Sequence, residues 1–479
     1  MKLRTRFAPS PTGALHGGTI RTTIFAWLLA KQSDGQFILR IEDTDQKREV
    51  PGAIANITES IKWLGLEWDE GPDVGGAHAP YVQSMRLDIY KEWAQKLYEQ
   101  GKAYADPYTP EELQALREKA QAEKRPFLYR DHRPEQPPAW DGAQPLRIRL
   151  EPKSYAWNDA VMGEITMGPE MVDDFIIIKS DGFPTYNFCH IVDDHLMEIS
   201  LVTRSQEFLS SIPKFLAAHE VMGLTPPLNA TLPPVLEPTG KRKLSKRYGA
   251  RPILEYRDDG YLPEAMLNFL ATLGWNDGST QEIFTADELI EKFSLERVQK
   301  SGAIFDEQRL LWMNGQHIRM LSLRDLEARI ESQGSRSFWP ESAKNADEAY
   351  RTSVLALVQD RLKTLADLPS LTSYFFEEPH VDWDMVSSNK QLKKLEKDEL
   401  KTLLQTARDA LEKTSFDESS LTATLNKLLE ETGQKPAVLF GIIRLALTWA
   451  PFSPGLAEMM TVLGKEKSLA RIDKATESS

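Results

Sequence analysis

Two short stretches hold residue types suited to gripping a phosphate. The first is His16-Gly17-Gly18-Thr19. An imidazole can hydrogen-bond a phosphate oxygen, and two glycines at a helix start let backbone N–H groups approach an anion closely. The second is Gly240-Lys241-Arg242-Lys243-Leu244-Ser245-Lys246-Arg247-Tyr248-Gly249, a glycine-bounded basic loop with no apolar periodicity. Taken alone, the first is an ordinary tight turn with a buried histidine and the second a solvated loop. Taken as a pair, they make a nucleotide the expected tenant.

The elements around the first stretch must place it at a sheet edge. Leu3, Thr5 and Phe7 alternate with charged residues, which predicts a half-buried strand. Ala8-Pro9-Ser10-Pro11-Thr12-Gly13 cannot continue any regular element. A helix follows from Thr19, with Ile20, Ile24, Trp27 and Leu28 at helical spacing, and Gly35 breaks it. Phe37 to Ile41 returns as a buried strand ending in Glu42-Asp43-Thr44-Asp45. Two strands joined through a helix form a right-handed crossover in a parallel sheet, and ligands sit beyond the carboxyl ends of such strands. Ser10, His16, Gly17, Gly18 and Glu42 fall at that edge.

Further along, helices are predicted over Pro51 to Gly65 and Ser84 to Gln100, and Thr109 with Glu112 reads as a capping box. Arg125 to Pro145 reads as an irregular insert. Leu146, Ile148 and Leu150 alternate as a strand, and Phe175 to Ile178 forms another. Asp181-Gly182 before Phe183-Pro184-Thr185-Tyr186 predicts a hairpin. Ile199 to Thr203 is a buried strand ending at Arg204, followed by a helix from Gln206 to His219, and Leu232 to Leu236 is the last strand of the domain. After Pro263 the chain reads as helical almost to its end, with starts at Thr285 and Ser322, and Lys390 to Lys401 reads as a solvated helix face.

A length of 479 residues exceeds one core and predicts three or four domains. The net charge of −13 argues against indiscriminate nucleic-acid binding, while leaving room for a specific RNA met through local basic patches. Cys189 is the sole cysteine, which excludes intramolecular disulfides and any multi-cysteine zinc site. No apolar run is long enough to cross a bilayer, and a motif beginning at Leu3 leaves no room for a leader, so a cytoplasmic protein is expected.

In this order, the His-Gly-Gly turn and the Lys243-Leu244-Ser245-Lys246-Arg247 loop resemble the two signatures of class I aminoacyl-tRNA synthetases. The flanking residues narrow the resemblance to the glutamyl-tRNA synthetase family. They are Arg6 to Gly13, Leu39-Arg40-Ile41-Glu42-Asp43-Thr44-Asp45, Asp69-Glu70-Gly71-Pro72, Lys179-Ser180-Asp181-Gly182, Pro184-Thr185-Tyr186-Asn187, Val192-Asp193-Asp194-His195 and Leu311-Trp312-Met313-Asn314-Gly315. The similarity is strong from residue 3 to about 320 and weaker in Leu456 to Ala470.

The resemblance implies an α/β fold: a Rossmann-type parallel-sheet catalytic domain with an α+β insertion, followed by an all-α C-terminal half. It implies a catalytic domain over 1–80 and 191–240, an acceptor-end-binding insertion over 81–190, a stem-contact helical domain over 241–322 and an anticodon-binding helical domain over 323–479. Glutamate and ATP would form glutamyl-adenylate, which esterifies the terminal adenosine of tRNA, with activation dependent on tRNA. His16, Lys243 and Lys246 would be catalytic, with Lys246 stabilising the leaving diphosphate. His16, Gly17, Gly18, Glu207, Leu236 and Lys246 would hold ATP. Arg6, Arg204 and Tyr186 would select the side-chain carboxylate of glutamate, since guanidinium groups are always charged and pair bidentately. Ser10 and Glu42 would receive its α-amino group. Mg²⁺ would be bound mainly through ATP with no protein metal site, no zinc is expected, and the expected partners are a glutamate-specific tRNA and glutamate around a monomer.

Two positions depart from the family pattern. Gly17 stands where the signature turn commonly has an apolar residue, and His190 occupies a variable position near the amino acid. Asp43 and Asp45 are expected to pair with Arg40 or Arg48, Asp193-Asp194-His195 to form a structural loop, and Trp63, Trp93 and Trp312 to fill cores. Gln359 and Arg361 lie where a helix could present an anticodon reader, and charging of glutamine tRNA stays open. Alternative readings are a paralogue that glutamylates a modified tRNA base, an inactive tRNA-binding relative and a small nucleotidyltransferase. The long helical C-terminal half, the intact His16, Lys243 and Lys246, and the Arg6, Tyr186 and Arg204 set disfavour them in turn.

Overall fold

A computed structural model describes residues 2–245, 247, 249–333 and 337–477. The chain divides into two compact units, one of Met1–Glu255 with Pro263–Glu307 and one of Tyr256–Leu262 with Gln308–Ser479.

The first unit begins with β1 (Arg4–Phe7), α1 (Gly17–Gln32) and β2 (Gln36–Leu39), and β1 pairs parallel to β2 from Arg4–Gln36 to Phe7–Leu39. The strand stops after Phe7 because Pro9 and Pro11 offer no backbone donor. Helix α1 is apolar on nearly every side: Ile20, Ile24, Phe25 and Leu28 are all fully buried. It packs against β1, β2 and further helices of the unit, so no face is left for solvent. Gly35 does more than end it. A Cβ there would stand 1.9 Å from the carbonyl oxygen of Leu3, where the chain of β1 passes. We expect Gly35→Ala to cost about 1–3 kcal/mol, as overpacking does. Denaturant unfolding is the check, and a loss under about 0.5 kcal/mol would contradict this close approach.

Helix α2 (Ala53–Trp63) follows, then α3 (Leu87–Glu99), β3 (Ala103–Ala105), α4 (Pro110–Ala122) and β4 (Leu146–Ile148). The Thr109–Glu112 capping box opens α4 as its spacing predicts. Strands β5 (Tyr155–Asp159) and β6 (Gly163–Met167) form an antiparallel ribbon that the sequence reading did not contain. What fixes it is remote: the buried Asp159 carboxylate accepts from the Thr231 N–H at 3.0 Å and its hydroxyl at 2.6 Å. Strand β7 (Ile176–Ile178) completes an antiparallel sheet in the order β3-β4-β7.

The Asp181-Gly182 turn forms, but its second arm is not a strand. One bridge joins Ile178 to Pro184, and then α5 (Tyr186–Leu196) begins. Pro184 has no N–H with which to extend a ladder, and Thr185 is extended at the N-cap. Asp193, Asp194 and His195 therefore lie on a helix, not in the loop expected for them.

Strand β8 (Leu201–Ser205) pairs parallel to β9 (Leu228–Leu232), with α6 (Ile212–Met222) between them. The Ser200 N–H donates to the Arg4 carbonyl at 2.9 Å and ties β8 to β1. Strand β10 (Val235–Leu236) is followed by α7 (Ile253–Asp258), α8 (Pro263–Ala271) and α9 (Ala286–Lys292). Strand β11 (Ala303–Ile304) then pairs parallel to β10, an exception to the helical reading after Pro263.

The second unit is helical among its described residues, with a core that includes Leu400, Leu404, Leu439, Ile442 and Ile443, all fully buried. In the lysine-rich run at 390–401, Lys390, Lys393 and Lys394 are exposed and Lys397 and Lys401 half-buried, while Leu392 and Leu400 are buried. Trp312 is 45% exposed and fills no core, contrary to expectation. Among the described residues no helix is long and apolar enough to cross a membrane.

Candidate active site

The carboxyl ends of β1 and β8, the start of α1 and the ribbon at β10 converge on a cleft of about 360 Å³. Arg6, Ser10, His16, Gly18, Glu42, Tyr186, Arg204, Glu207 and Lys243 all line it. Ser10, Glu42, Tyr186 and Phe208 also border an adjoining cavity of about 560 Å³ that reaches Arg48 and Lys179. Gly17 does not line the cleft but is buried behind it, toward Phe305 and Leu270. Leu236 is not a lining residue either: its side chain packs toward Gly302, and its neighbour Val235 faces the cleft. Lys246 lies outside the described residues.

His16 is the extended N-cap of α1, and its carbonyl accepts from the Thr19 and Ile20 N–H groups at 3.0 and 3.1 Å. The N–H groups of Gly17 and Gly18 precede those first helical bonds, so the positive end of α1 meets the cleft. The basic loop folds back on β10 as a tight ribbon. Leu244 N–H donates to Val235 O at 2.8 Å, and the Glu237 carboxylate gathers the N–H groups of Thr239, Lys241 and Arg242 at 2.8, 3.1 and 3.2 Å. Lys243 is thereby turned to the cleft, where its ammonium pairs with Glu207 at 2.5 Å. Glu237 escaped the sequence reading, although Glu-Pro-Thr-Gly before a basic run is a turn signal.

Behind the cleft sits a buried charge network. Fully buried Arg40 donates to Glu42 at 2.9 Å and to Asp194 at 2.8 Å, and its Nε is 3.8 Å from Asp193. Asp193 also accepts from Arg86 and Gln83 at 2.8 Å and from Tyr90 at 2.7 Å. Arg6 directs its Nε and Nη2 to Asp194 at 3.2 and 3.4 Å. Asp45 lies 3.8 Å from Arg48, as expected, while Asp43 instead accepts from the Ser84 N–H at 2.8 Å. Burial opposes charge on Arg40, but Asp194, Glu42 and Asp193 outweigh it and hold its pKa well above the ordinary value. Burial likewise works against the Asp194 carboxylate, yet Arg6 and Arg40 keep it well below its usual range. For Glu42 burial prevails and raises the pKa.

Four guanidinium groups (Arg6, Arg40, Arg86 and Arg204) thus meet three carboxylates (Glu42, Asp193 and Asp194). The surplus falls on Arg204. It is 8% exposed, forms no ion pair among the described residues, and donates through Nη2 to His190 Nδ1 at 3.1 Å. Its Nε is buried without a partner among the described residues. Accepting at Nδ1 fixes the other tautomer on His190, with the proton on Nε2. Burial, then Arg204, holds the His190 pKa well below 6.5 and keeps the ring neutral. Tyr186 stands beside His190 at a centroid distance of 4.9 Å, and burial raises its pKa.

Neutral buried histidines make a pH prediction. Burial also lowers the pKa of His219, and it brings that of His317 to about 4. Below about pH 6.5 the unfolded chain binds protons that the folded chain refuses, so stability falls with falling pH by up to ~1.4 kcal/mol per unit for each such histidine. Unfolding free energy measured from pH 7 to 5 should decline, and His190→Gln should make the decline shallower. A slope unchanged by that substitution would contradict a His190 held neutral.

The family described as tRNA synthetases class I (E and Q), catalytic domain, matches residues 2–312, and the anticodon binding domain family matches residues 325–476. The chain is similar to the glutamate–tRNA ligase of Dehalococcoides mccartyi, with 42% identity over 99% of this chain and 97% of that one. It is similar to that of Moorella thermoacetica at 41% identity, over 99% and 98% of the two chains. Its fold resembles the crystal structure of a glutamate tRNA ligase from Elizabethkingia meningosepticum in complex with its amino acid. That match has a TM-score of 0.88 and 32% identity, covering 100% of both chains.

Proposed function

The chain belongs to the class I tRNA synthetases of the glutamate and glutamine group, and from that premise we propose how its own residues perform the glutamate–tRNA ligase reaction. The activity joins L-glutamate to tRNA and converts ATP to AMP and diphosphate. The single observation that carries the assignment of roles is Arg204, a buried cation in the cleft with no ion pair among the described residues.

A glutamate side-chain carboxylate supplies the charge that Arg204 lacks, and Tyr186 donates to the same group. Arg6, already engaged with Asp194, lines the same cleft and backs this subsite. Glutamine brings no charge and would leave Arg204 buried and unpaired, which discriminates strongly. Ser10 and Glu42 receive the α-ammonium. The α-carboxylate then attacks the α-phosphorus of ATP in line, a P–O bond to diphosphate breaks, and glutamyl-adenylate forms. His16 and the start of α1 at Gly18 bind the phosphates, with Gly18 and Val235 beside the nucleoside. Lys243 and Lys246 neutralise the departing diphosphate, which is positioning and electrostatics and not covalent help. Glu207 sets Lys243 until ATP arrives.

ATP enters as its magnesium complex, so the ion is part of the substrate. Among the described residues no group forms a cage for it: of the cleft carboxylates, Glu42 is engaged by Arg40 and Glu207 by Lys243. The terminal hydroxyl of tRNA next attacks the acyl carbon and AMP leaves. The adjoining cavity beside Ser10 and Tyr186 has room for that terminal adenosine. The four-part division at 80, 190, 240 and 322 remains the proposed layout, with the insertion on the acceptor end and the last part on the anticodon. Of the two suggested readers, the Gln359 amide donates to the Ile318 and Leu321 carbonyls at 2.9 Å and serves the fold, while Arg361 is exposed.

Aminoacylation of separate glutamate- and glutamine-accepting tRNA transcripts tests the reading. Charging of the glutamate transcript alone is expected, and charging of both would reveal relaxed tRNA choice. Charging of neither overturns the proposal. ATP–diphosphate exchange should require tRNA, and robust exchange without RNA would refute that element.

A further inference from the structure

Gly17 has no conformational reason to be glycine. It opens a regular helix and its φ is not positive, so an L side chain would suit its backbone. Its reason is steric. A Cβ at this position would stand 2.8 Å from Phe305 Cε2 and 3.4 Å from Leu270 Cδ2. Phe305 is itself buried, with its ring edge-on to Phe269 at 5.0 Å and 83°. Its backbone N–H donates to the Leu236 carbonyl at 2.9 Å. One residue therefore touches the start of α1 with its ring and β10 with its backbone, and those two segments carry His16 and Val235 into the cleft. They come close there, since a Cβ on Gly18 would lie 4.0 Å from the Cβ of Val235.

We propose that Phe305 is a positioning residue for ATP. Its ring fills, from a distant part of the chain, the space that a side chain at Gly17 would take. It thereby sets the distance between the His16 end of α1 and the β10 ribbon that carries Val235 and Lys243. Neither phosphate-handling stretch contains it. The inference rests on the reading of the cleft as an adenylate-forming site, but it concerns a side chain that touches no substrate. Close packing transmits a lost ring as displacement of its neighbours, and a displacement of about 1 Å at a reacting group costs on the order of 10²-fold in rate.

The test is a packing swap in the full-length chain: Phe305→Ala, Phe305→Leu, Gly17→Val, and the double variant Gly17→Val/Phe305→Ala. Calorimetric titration of magnesium ATP measures affinity, and aminoacylation gives KM for ATP and for glutamate separately. Phe305→Ala should weaken ATP binding at least about tenfold with the glutamate KM within about threefold, and Phe305→Leu should fall between it and the parent. Gly17→Val alone should weaken ATP comparably, and the double variant should recover to within about threefold of the parent. An equal rise in both KM values overturns the proposal, as does a double variant as weak as its singles combined. Should Phe305→Ala fail to fold, Phe305→Leu and the recovery of Gly17→Val by Gly17→Val/Phe305→Leu decide the matter by the same criteria. A parent protein that binds ATP but charges no tRNA defeats the adenylate reading alone, and the titrations still judge Phe305.

Discussion

Arg204→Gln is expected to lower kcat/KM for glutamate by about 10²–10³-fold, because truncating a buried charged hydrogen-bonding partner costs roughly 2–5 kcal/mol. The loss should appear with little change in the KM for ATP, since Arg204 stands at the amino-acid end of the cleft. Stability should move the other way. Arg204 is a buried cation with a neutral histidine and the Phe215 ring, 4.9 Å from its Cζ, for partners, so the folded protein bears a desolvation cost that an anionic ligand offsets. Its replacement by a neutral amide is expected to leave the melting temperature unchanged or raise it, a trade of stability for function. Steady-state aminoacylation and thermal melting of one purified variant check both halves. A loss in kcat/KM below tenfold, or a marked fall in melting temperature, would show that Arg204 serves the fold and not the substrate.

Arg40→Met should have the opposite profile. The side chain is fully buried and pairs with Glu42 and Asp194 at 2.9 and 2.8 Å. Removing it takes from Glu42 its ion-pair partner and from Asp194 one of two, and breaking a buried pair costs about 3–5 kcal/mol. In a unit of about 300 residues such a loss lowers the melting temperature by roughly 5–8 °C. The damage should also reach the substrate side, because Asp194 would be left to Arg6 alone and Glu42 would have no cation directly behind it. Glu42 already has a raised pKa from burial. Without Arg40 it should take up a proton at still higher pH and lose its attraction for the α-ammonium. Glutamate KM should therefore rise with falling pH more steeply in the variant than in the parent. A variant as stable as the parent to within about 1 kcal/mol would mean that the network is not the structural hub its geometry describes.

The contrast between these two arginines separates what the linear chain determined from what folding decided. The strand–loop–helix–strand start, the capping box at Thr109, the helix start at Thr285, and the pairing of a His-Gly-Gly turn with a basic loop were legible. Each depends on neighbours a few positions away, where periodicity, proline and glycine act directly. The family and its α/β architecture were legible for the same reason, through motifs that are contiguous in the chain. Nothing local distinguishes Arg6 from Arg204, since both end a strand at the ligand edge. Asp194, 188 positions from Arg6, neutralises one and leaves the other to a histidine. The ribbon at Asp159 waits on Thr231, 72 positions later, and Gly17 has its meaning only once Phe305 is beside it. Charge balance in a dry interior and the filling of space are properties of atoms brought close by the fold, and adjacency in the chain does not encode them.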